Sequence, residues 1–306
     1  MVGHRQAIVL QLTFQLFIQQ LINGISLGTL YGLIAIGYTM VYGILRLINF
    51  AHADVMMMST YFAFFGISMF ALPWWVAAIL AMALTALLGI MIDQGAYRPL
   101  RRAPRISALI TAIGVSFLLE NLGLVIFGSR PRAFFRPEIF RPVWQFGEIH
   151  VLSLSVYTIL ITAVLLVFVY IIIYRTRIGM AMRAVSRDMQ TVPLMGIDVN
   201  RVIAFTFGMG SALAAAGGIL WAMKYPQIEP LMGIFPGLKA FVAAVLGGIG
   251  NVFGAVLGGF ILGITEILLV AFLPELSGYR DAFAFLLLIL VLLFRPTGIM
   301  GEELPE

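Results

Sequence analysis

Few ionisable side chains are read as falling within the membrane-spanning segments: Arg46, His52, Asp54, Glu120 and Glu266. A charge at the centre of a bilayer costs several kcal/mol, so each such group needs a partner or a task. Glu120 with Asn121 interrupts "SFLLENLGLVIF", and Glu266 follows Thr265 in "GITEILLV". Both acids are expected to face the bundle interior, either bonded to another helix or touching a transported solute. "RLINFAHADVMM" gathers Arg46, Asn49, His52 and Asp54 between two apolar runs, as a solvated turn or a hinge. Catalytic chemistry finds no support. There is no cysteine, and His4, His52 and His150 lie too far apart to read as a metal-ligand motif. Neither HExxH nor a nucleophile elbow occurs, and no GxxxxGK[ST] phosphate loop is present. The chain is therefore expected to be no enzyme, to hold no metal or cofactor, and to bind no ATP by that route.

The second signal is glycine. Gly24, Gly28 and Gly32 recur every four residues in "NGISLGTLYGLIAIGYTMVYG", interleaved with Asn23, Ser26 and Thr29. Near the other end, "FVAAVLGGIGNVFGAVLGGFILG" carries Gly250, Gly254 and Gly258 at the same spacing, with Gly259 and Gly263 starting another stripe. Small residues let helix backbones touch in lipid. The cluster Gly247, Gly248, Gly250, Asn251 lacks side-chain bulk and places an amide in an apolar run, so it predicts a helix break. Irregular backbone at membrane depth survives only against protein or a water-lined cavity. Two glycine-interrupted segments in matching places also point to discontinuous helices around a transport site. Asn23, Gly28, Thr29, Glu120, Asn121, Gly247, Gly248, Gly250, Asn251 and Glu266 are accordingly the candidates for a translocation path, with close packing as the plainer role for the glycines.

The elements that hold these residues must be membrane helices. Hydrophobic residues make up 61% of the 306 and charged ones 11%, where a soluble domain carries about a quarter charged. The apolar runs are long and continuous, unlike the alternating strands of a barrel. Spans are predicted at Leu16–Gly43, Val55–Leu72, Trp74–Ile92, Ile106–Phe127, Val151–Tyr174, Val202–Met223, Phe241–Leu273 and Ala282–Phe294. The first could be two pieces and the seventh is too long for one crossing, so an all-α bundle of eight or nine crossings is expected, some broken or re-entrant. Residues 1–306 form one membrane domain in contact with lipid. No removable signal peptide is read in "MVGHRQAIVLQLTFQLFIQQ". The net charge of +5 is assigned to loops facing the cytoplasm, not to a nucleic-acid partner. "DQGAYRPLRRAPR" and "RTRIGMAMRAVSRDMQTVPLMGIDVNR" are both basic and two spans apart, which puts them on one face, read as cytoplasmic. The intervening "SRPRAFFRPEIFRP" departs from the rule with Arg130, Arg132, Arg136 and Arg141, and its prolines read as a stiff external cap.

The energy source is absent, and one segment offers a place for it to dock. In Val185–Val199, Ser186 is read as the cap of a short helix, with Asp188 in its first turn and Pro193 limiting it to about two turns. Three quoted stretches carry a family resemblance: "INGISLGTLYGLIAIGYTMVYGILRLINFAHADVMM", "KAFVAAVLGGIGNVFGAVLGGFILGITE" and "LLLILVLLFRPTGIMG". From about Gln19 to Gly301 the chain resembles the first permease of branched-chain amino acid ABC importers, the high-affinity leucine/isoleucine/valine type. The resemblance implies a second related permease, two cytoplasmic ATP-binding subunits, a periplasmic substrate-binding protein, an amino-acid substrate, and a multi-pass place in the bacterial inner membrane. It also puts an ATPase-coupling loop at Arg183–Gly196, with Arg183, Ser186, Arg187, Asp188, Met195 and Gly196 as its contacts. Ala53 stands where the family pattern has glycine, and Pro193 where alanine is usual. Related permeases carry urea or short amides, and a self-contained secondary transporter driven through Glu120 or Glu266 is the rival of another class.

Overall fold

The computed structural model describes residues 2–101 and 103–301. Among them are ten α-helices: α1 Val2–Leu45, α2 His52–Ser68, α3 Trp74–Ile92, α4 Arg105–Phe127, α5 Ser153–Arg175, α6 Arg177–Arg187, α7 Val199–Lys224, α8 Ile234–Gly247, α9 Val252–Phe272 and α10 Arg280–Phe294. Four short strands, which the sequence did not foretell, stitch loops together: β1 Arg132–Ala133 pairs antiparallel with β4 Gln227–Ile228, and β2 Val143–Phe146 with β3 Ile149–Leu152. The class is a polytopic helical bundle.

Seven helices are long and apolar enough to cross a membrane, beginning with a Phe14–Leu45 span of 32 residues. The first apolar run is thus one helix and not two pieces; no proline interrupts Val2–Leu45, and its glycines are supported by neighbours. Two further legs are shorter, α2 with 17 residues and α8 with 14. At 1.5 Å per residue α8 reaches about 21 Å, short of the ~30 Å hydrocarbon core. The seventh predicted span is therefore broken as expected, into α8 and α9.

The Gly24–Gly28–Gly32 stripe of α1 and the Gly259–Gly263 stripe of α9 turn out to be a single contact. Gly24, Gly28 and Gly32 of α1 face α9, where a β-carbon on Gly28 would sit 2.7 Å from Cα of Phe260 and one on Gly259 would sit 2.5 Å from the amide of Gly32. α1 and α7 form the centre, with 94% of the α1 span buried, whereas the span ending in α10 is 6% buried and lies at the rim.

At the break, Gly248 and Gly250 adopt φ of +106° and +104°, a region that favours glycine. Asn251 then caps α9: its side-chain oxygen accepts from the Gly254 amide at 3.0 Å, while its Nδ2 donates to the carbonyl of Met300 at 3.0 Å. The open carbonyls at the end of α8 are closed by the chain following α10. Ile299 N donates to Leu246 O at 2.9 Å and Met300 N to Gly247 O at 2.8 Å. Gly254 and Gly258 pack onto α8 at Gly247 and Ala243, making α8 and α9 a tight hairpin.

The arginines of the α4–α5 loop act as helix caps. Arg132 donates to Phe127 O, the last residue of α4, and its guanidinium lies 5.5 Å from the Phe65 ring. Arg136 donates to Met223 O and Lys224 O at the end of α7. Positive groups there meet the negative ends of two helix dipoles. At the opposite end of the bundle Arg101 joins Asp93 and Asn200, so the two basic loops do share a face.

Candidate functional site

Three places in this frame carry polar groups with work to do. The first is the segment after α5. Thr176 caps α6 by accepting from Gly179 N at 3.2 Å, and the helix buries Gly179, Met182 and Val185 while leaving Arg187 exposed. The helix therefore lies earlier than the sequence placed it. Ser186 is in its last turn, donating to Arg183 O, rather than at its start. The displacement follows from Thr176, whose capping oxygen holds the helix start just after the arginine-bounded end of α5. Asp188 closes the next turn, its Oδ1 accepting from Gln190 N and Thr191 N. Hydrogen bonds from the Thr191 hydroxyl and these amides hold the Asp188 carboxyl below its usual range. Pro193 opens a 3₁₀ turn at Val192–Met195, and Gly196 ends it at φ +77°. The result presents Leu194 and Met195 to the outside at 85% and 74% exposure. Two large apolar side chains on a fixed polar turn form a knob.

This segment is tied to the membrane helices through a groove of about 690 Å³ between α1, α5, α6 and the α8–α9 break, which Thr39, Arg46, Arg183, Arg187, Gly250 and Asn251 help to line. Arg46 closes α1 in the left-handed region at φ 56°, unusual for a side-chain-bearing residue, and its guanidinium reaches Ser186 O at 3.4 Å. Arg183 donates to Ile173 O and lies 5.4 Å from the Tyr174 ring. The end of α1, the break and α6 thus share one groove.

The second place is Glu266. It is buried, and it is not alone. Lys239 Nζ lies 2.8 Å from its Oε1, Arg280 Nε 3.0 Å from the same oxygen, and the Tyr31 hydroxyl donates to Oε2 at 2.9 Å. Lys239 also pairs with Asp281 at 2.7 Å. These groups line a cavity of about 340 Å³ with Trp221, Tyr225, Phe235 and Pro236. The sequence pointed to Glu266 but missed Lys239, Arg280, Asp281 and Tyr31. Each of the three charges sits within two residues of a predicted span boundary and reads as loop.

The third place is the start of α2. Asp54 is buried and accepts from the Ser116 hydroxyl of α4 at 2.5 Å, and Asn49 accepts from the Tyr97 hydroxyl at 2.9 Å. Glu120 is half-buried one turn beyond Ser116, while Asn121 is exposed and donates to its own helix at Phe117 O.

The structure separates the other path candidates. Asn23 is half-buried and bonded to Gln20, and Thr29 is buried and donates to Ser26 O within α1. The space beside Gly28, Gly247 and Gly248 is filled by backbone: Phe260 for the first, Gly254 for the second, Gly301 for the third. Gly28 and Gly247 are helix contacts, Gly248 packs on the chain that follows α10, and all three are buried. Gly250 and Asn251 do line the groove. Among the described residues no cluster of His, Asp and Glu could hold a metal ion.

Comparison with known proteins adds a family. Residues 20–292 match the family described as "Branched-chain amino acid transport system / permease component". The chain is 43% identical over 302 residues to the high-affinity branched-chain amino acid transport system permease protein LivH of Escherichia coli K12, covering 94% of this chain and 97% of that one. It is 42% identical over 301 residues to the corresponding protein BraD of Pseudomonas aeruginosa, covering 94% and 96%. To a probable LivH of Methanocaldococcus jannaschii it is 28% identical over 297 residues, covering 92% and 91%.

Proposed function

The chain belongs to the family of branched-chain amino acid transport permeases, and from that premise we propose that it forms half of the translocation path of an ATP-driven importer of hydrophobic amino acids. Its setting is the bacterial inner membrane. A second related permease completes the path, two cytoplasmic ATP-binding subunits drive it, and a periplasmic binding protein delivers the solute. The observation that carries this reading is the knob at Leu194 and Met195, held out by the Asp188 turn and linked to α1 through Ser186 and Arg46. An exposed apolar pair on a basic, capped turn fits a cleft on an ATPase subunit, and burying it there recovers what its exposure costs.

Within the bundle, Gly250, Asn251, Glu120, Asn121 and Glu266 are the positions we assign to the path. Asn121 and Glu120 lie on α4, whose span is only 17% buried within the chain, and a polar side chain exposed there fits coverage by the second permease better than lipid. The rival reading as a secondary transporter loses support at Glu266, which is already engaged by Lys239, Arg280 and Tyr31.

The test is reconstitution in vesicles with and without the ATP-binding subunits. Leucine uptake that requires both ATP and those subunits is the expected result. Uptake driven by an ion gradient through this chain alone would replace the proposal with the secondary transporter. Cysteines placed at Arg187 and Met195 should label from the cytoplasm, and labelling only from the periplasm would invert the topology and remove the coupling role.

A further inference from the structure

The charge cluster around Glu266 has more members than a helix contact needs. Lys239 and Glu266 are buried, with side-chain exposures of 8% and 3%, whereas Arg280 and Asp281 at the start of α10 are half-exposed at 49% and 43%. A buried pair is thus covered by a second pair at the rim, and the four line one cavity of about 340 Å³. That volume is at the small end of the ~300–1,000 Å³ typical of small-molecule sites. Its remaining walls are rings: Tyr31 and Trp221 have centroids 5.9 Å apart, Trp221 and Tyr225 4.8 Å, and Phe235 is exposed beside them.

We propose that this cavity is a solute-binding station for a zwitterion with an apolar side chain, clasped by Arg280 and Lys239 at its carboxylate, by Asp281 and Glu266 at its ammonium, and by the aromatic wall at its side chain. The inference rests on the importer reading above and deepens it by locating the solute. The two bases and two acids lining the cavity balance. An arriving zwitterion exchanges partners with the rim pair: its carboxylate takes Arg280, and its ammonium takes the carboxylate that Arg280 releases. No charge is left alone. A solute carrying only one charge leaves one member of the cluster unpaired beside the buried Lys239–Glu266 pair, which is costly. A neutral solute gains nothing from either pair. The site therefore selects by charge pattern, and the rings select by apolar bulk. The rim pair lies at the edge of the bundle, where the span ending in α10 is 6% buried within the chain.

The experiment uses the assembled complex of both permeases and both ATP-binding subunits in nanodiscs, without binding protein. Radiolabelled leucine is the probe; 4-methylpentanoate and 3-methylbutylamine, each lacking one charge, are the competitors. Leucine should bind while neither analogue competes at comparable concentration. Arg280→Gln and Asp281→Asn should each weaken leucine binding at least about tenfold, as expected for loss of one charge-assisted hydrogen bond. Arg280→Lys should recover part of the loss, which a merely structural role of the guanidinium does not require. Leucine binding equal to wild type in Arg280→Gln and Asp281→Asn, or equal competition by either analogue, would overturn the proposal. Should the charge variants fail to assemble, Phe235→Ala decides, since Phe235 is uncharged and exposed: unchanged leucine binding there removes the site. ATP-driven leucine uptake is measured in parallel with the same complex in sealed vesicles supplied with the binding protein. Uptake that persists in variants with unaltered binding leaves the importer reading standing and removes only this station. A wild-type complex that imports no amino acid removes both.

Discussion

Replacing Gly28 by alanine tests whether the α1–α9 contact is what holds the bundle together. The added β-carbon would lie 2.7 Å from Cα of Phe260 and 2.8 Å from the carbonyl oxygen of Gly259. Carbon atoms prefer about 3.5–4.0 Å, so the helices must part locally by roughly 1 Å. A gap of that size forfeits about a quarter to a half of each affected contact. The loss spreads along the stripe, because β-carbons on Gly24, Gly259 and Gly263 would meet their neighbours as closely, at 2.8 Å or less. Overpacking of this kind typically costs about 1–3 kcal/mol. Against it stands a gain of about 1 kcal/mol in helix propensity when glycine becomes alanine. The net expectation is a loss of up to about 2 kcal/mol, and a larger one for Gly28→Leu. Gly114 on α4 has nothing within 4 Å of an added β-carbon, so Gly114→Ala supplies the propensity gain without the clash. Thermal unfolding of the purified permease chain in detergent, read by size-exclusion chromatography after heating, should therefore place Gly28→Ala below wild type and Gly114→Ala at or above it. If Gly28→Ala melts with or above Gly114→Ala, the close approach is not limiting and the argument from the stripes fails.

Three other outcomes follow from the same contacts. Gly248→Leu should prevent assembly rather than block an assembled path, because Gly248 holds φ +106° and its side would meet Gly301; recovery of an intact, transport-dead complex would contradict this. Leu194→Asp with Met195→Asp should abolish ATP-driven uptake while leaving the melting temperature of the permease within about a degree, since surface changes are worth about ±0.5 kcal/mol or less; normal uptake would dismiss the knob. Asp188 has its folded pKa depressed by bonds from Thr191 and Gln190, so its contribution to the turn is complete above the ordinary carboxylate range and fades as pH falls through the depressed value. A spin label on Gln190→Cys, unique because the chain has no cysteine, should stay ordered at neutral pH and loosen in acid, and Asp188→Ala should loosen it at neutral pH; equal mobility of the two proteins at neutral pH would refute the role.

Much of this architecture was written in apolar runs, and what was hidden has a common cause. Trp74–Ile92 is both the predicted span and the observed α-helix; proline at position 73 marks its start, and after Ile92 the helix runs on as a π turn over Asp93–Tyr97. The break at Gly248–Asn251 was legible because glycines clustered beside a lone amide. The partners of these features were not legible, since a partner is a fact of distance and not of spacing. The stripe at Gly24–Gly32 and the stripe at Gly259–Gly263 look alike in sequence but give no sign that they meet. Likewise "RPTGIMG" gives no sign that its amides close the carbonyls of Leu246 and Gly247. Lys239, Arg280 and Asp281 were missed for a sharper reason: an ionisable residue just outside a hydropathy window reads as solvated, although α8 and α10 both extend to include theirs.

The arginine-rich loop shows how such hidden partners can mislead a rule as well as a list. Counting charges set Arg130, Arg132, Arg136 and Arg141 against the assignment of that loop to the outside. The structure occupies Arg132 and Arg136 with the last carbonyls of α4 and α7, and Arg141 with the carbonyl of Arg136. A guanidinium spent on a helix terminus belongs to the fold, so it carries less weight in an argument about which side retains positive charge. The same rule also spends Arg183 on Ile173 O near the end of α5 and Arg101 on Asp93, so of the arginines on the opposite face Arg187 stays exposed beside the Leu194–Met195 knob. An exposed arginine and an apolar knob on one face are what the proposed docking of an ATP-binding subunit requires.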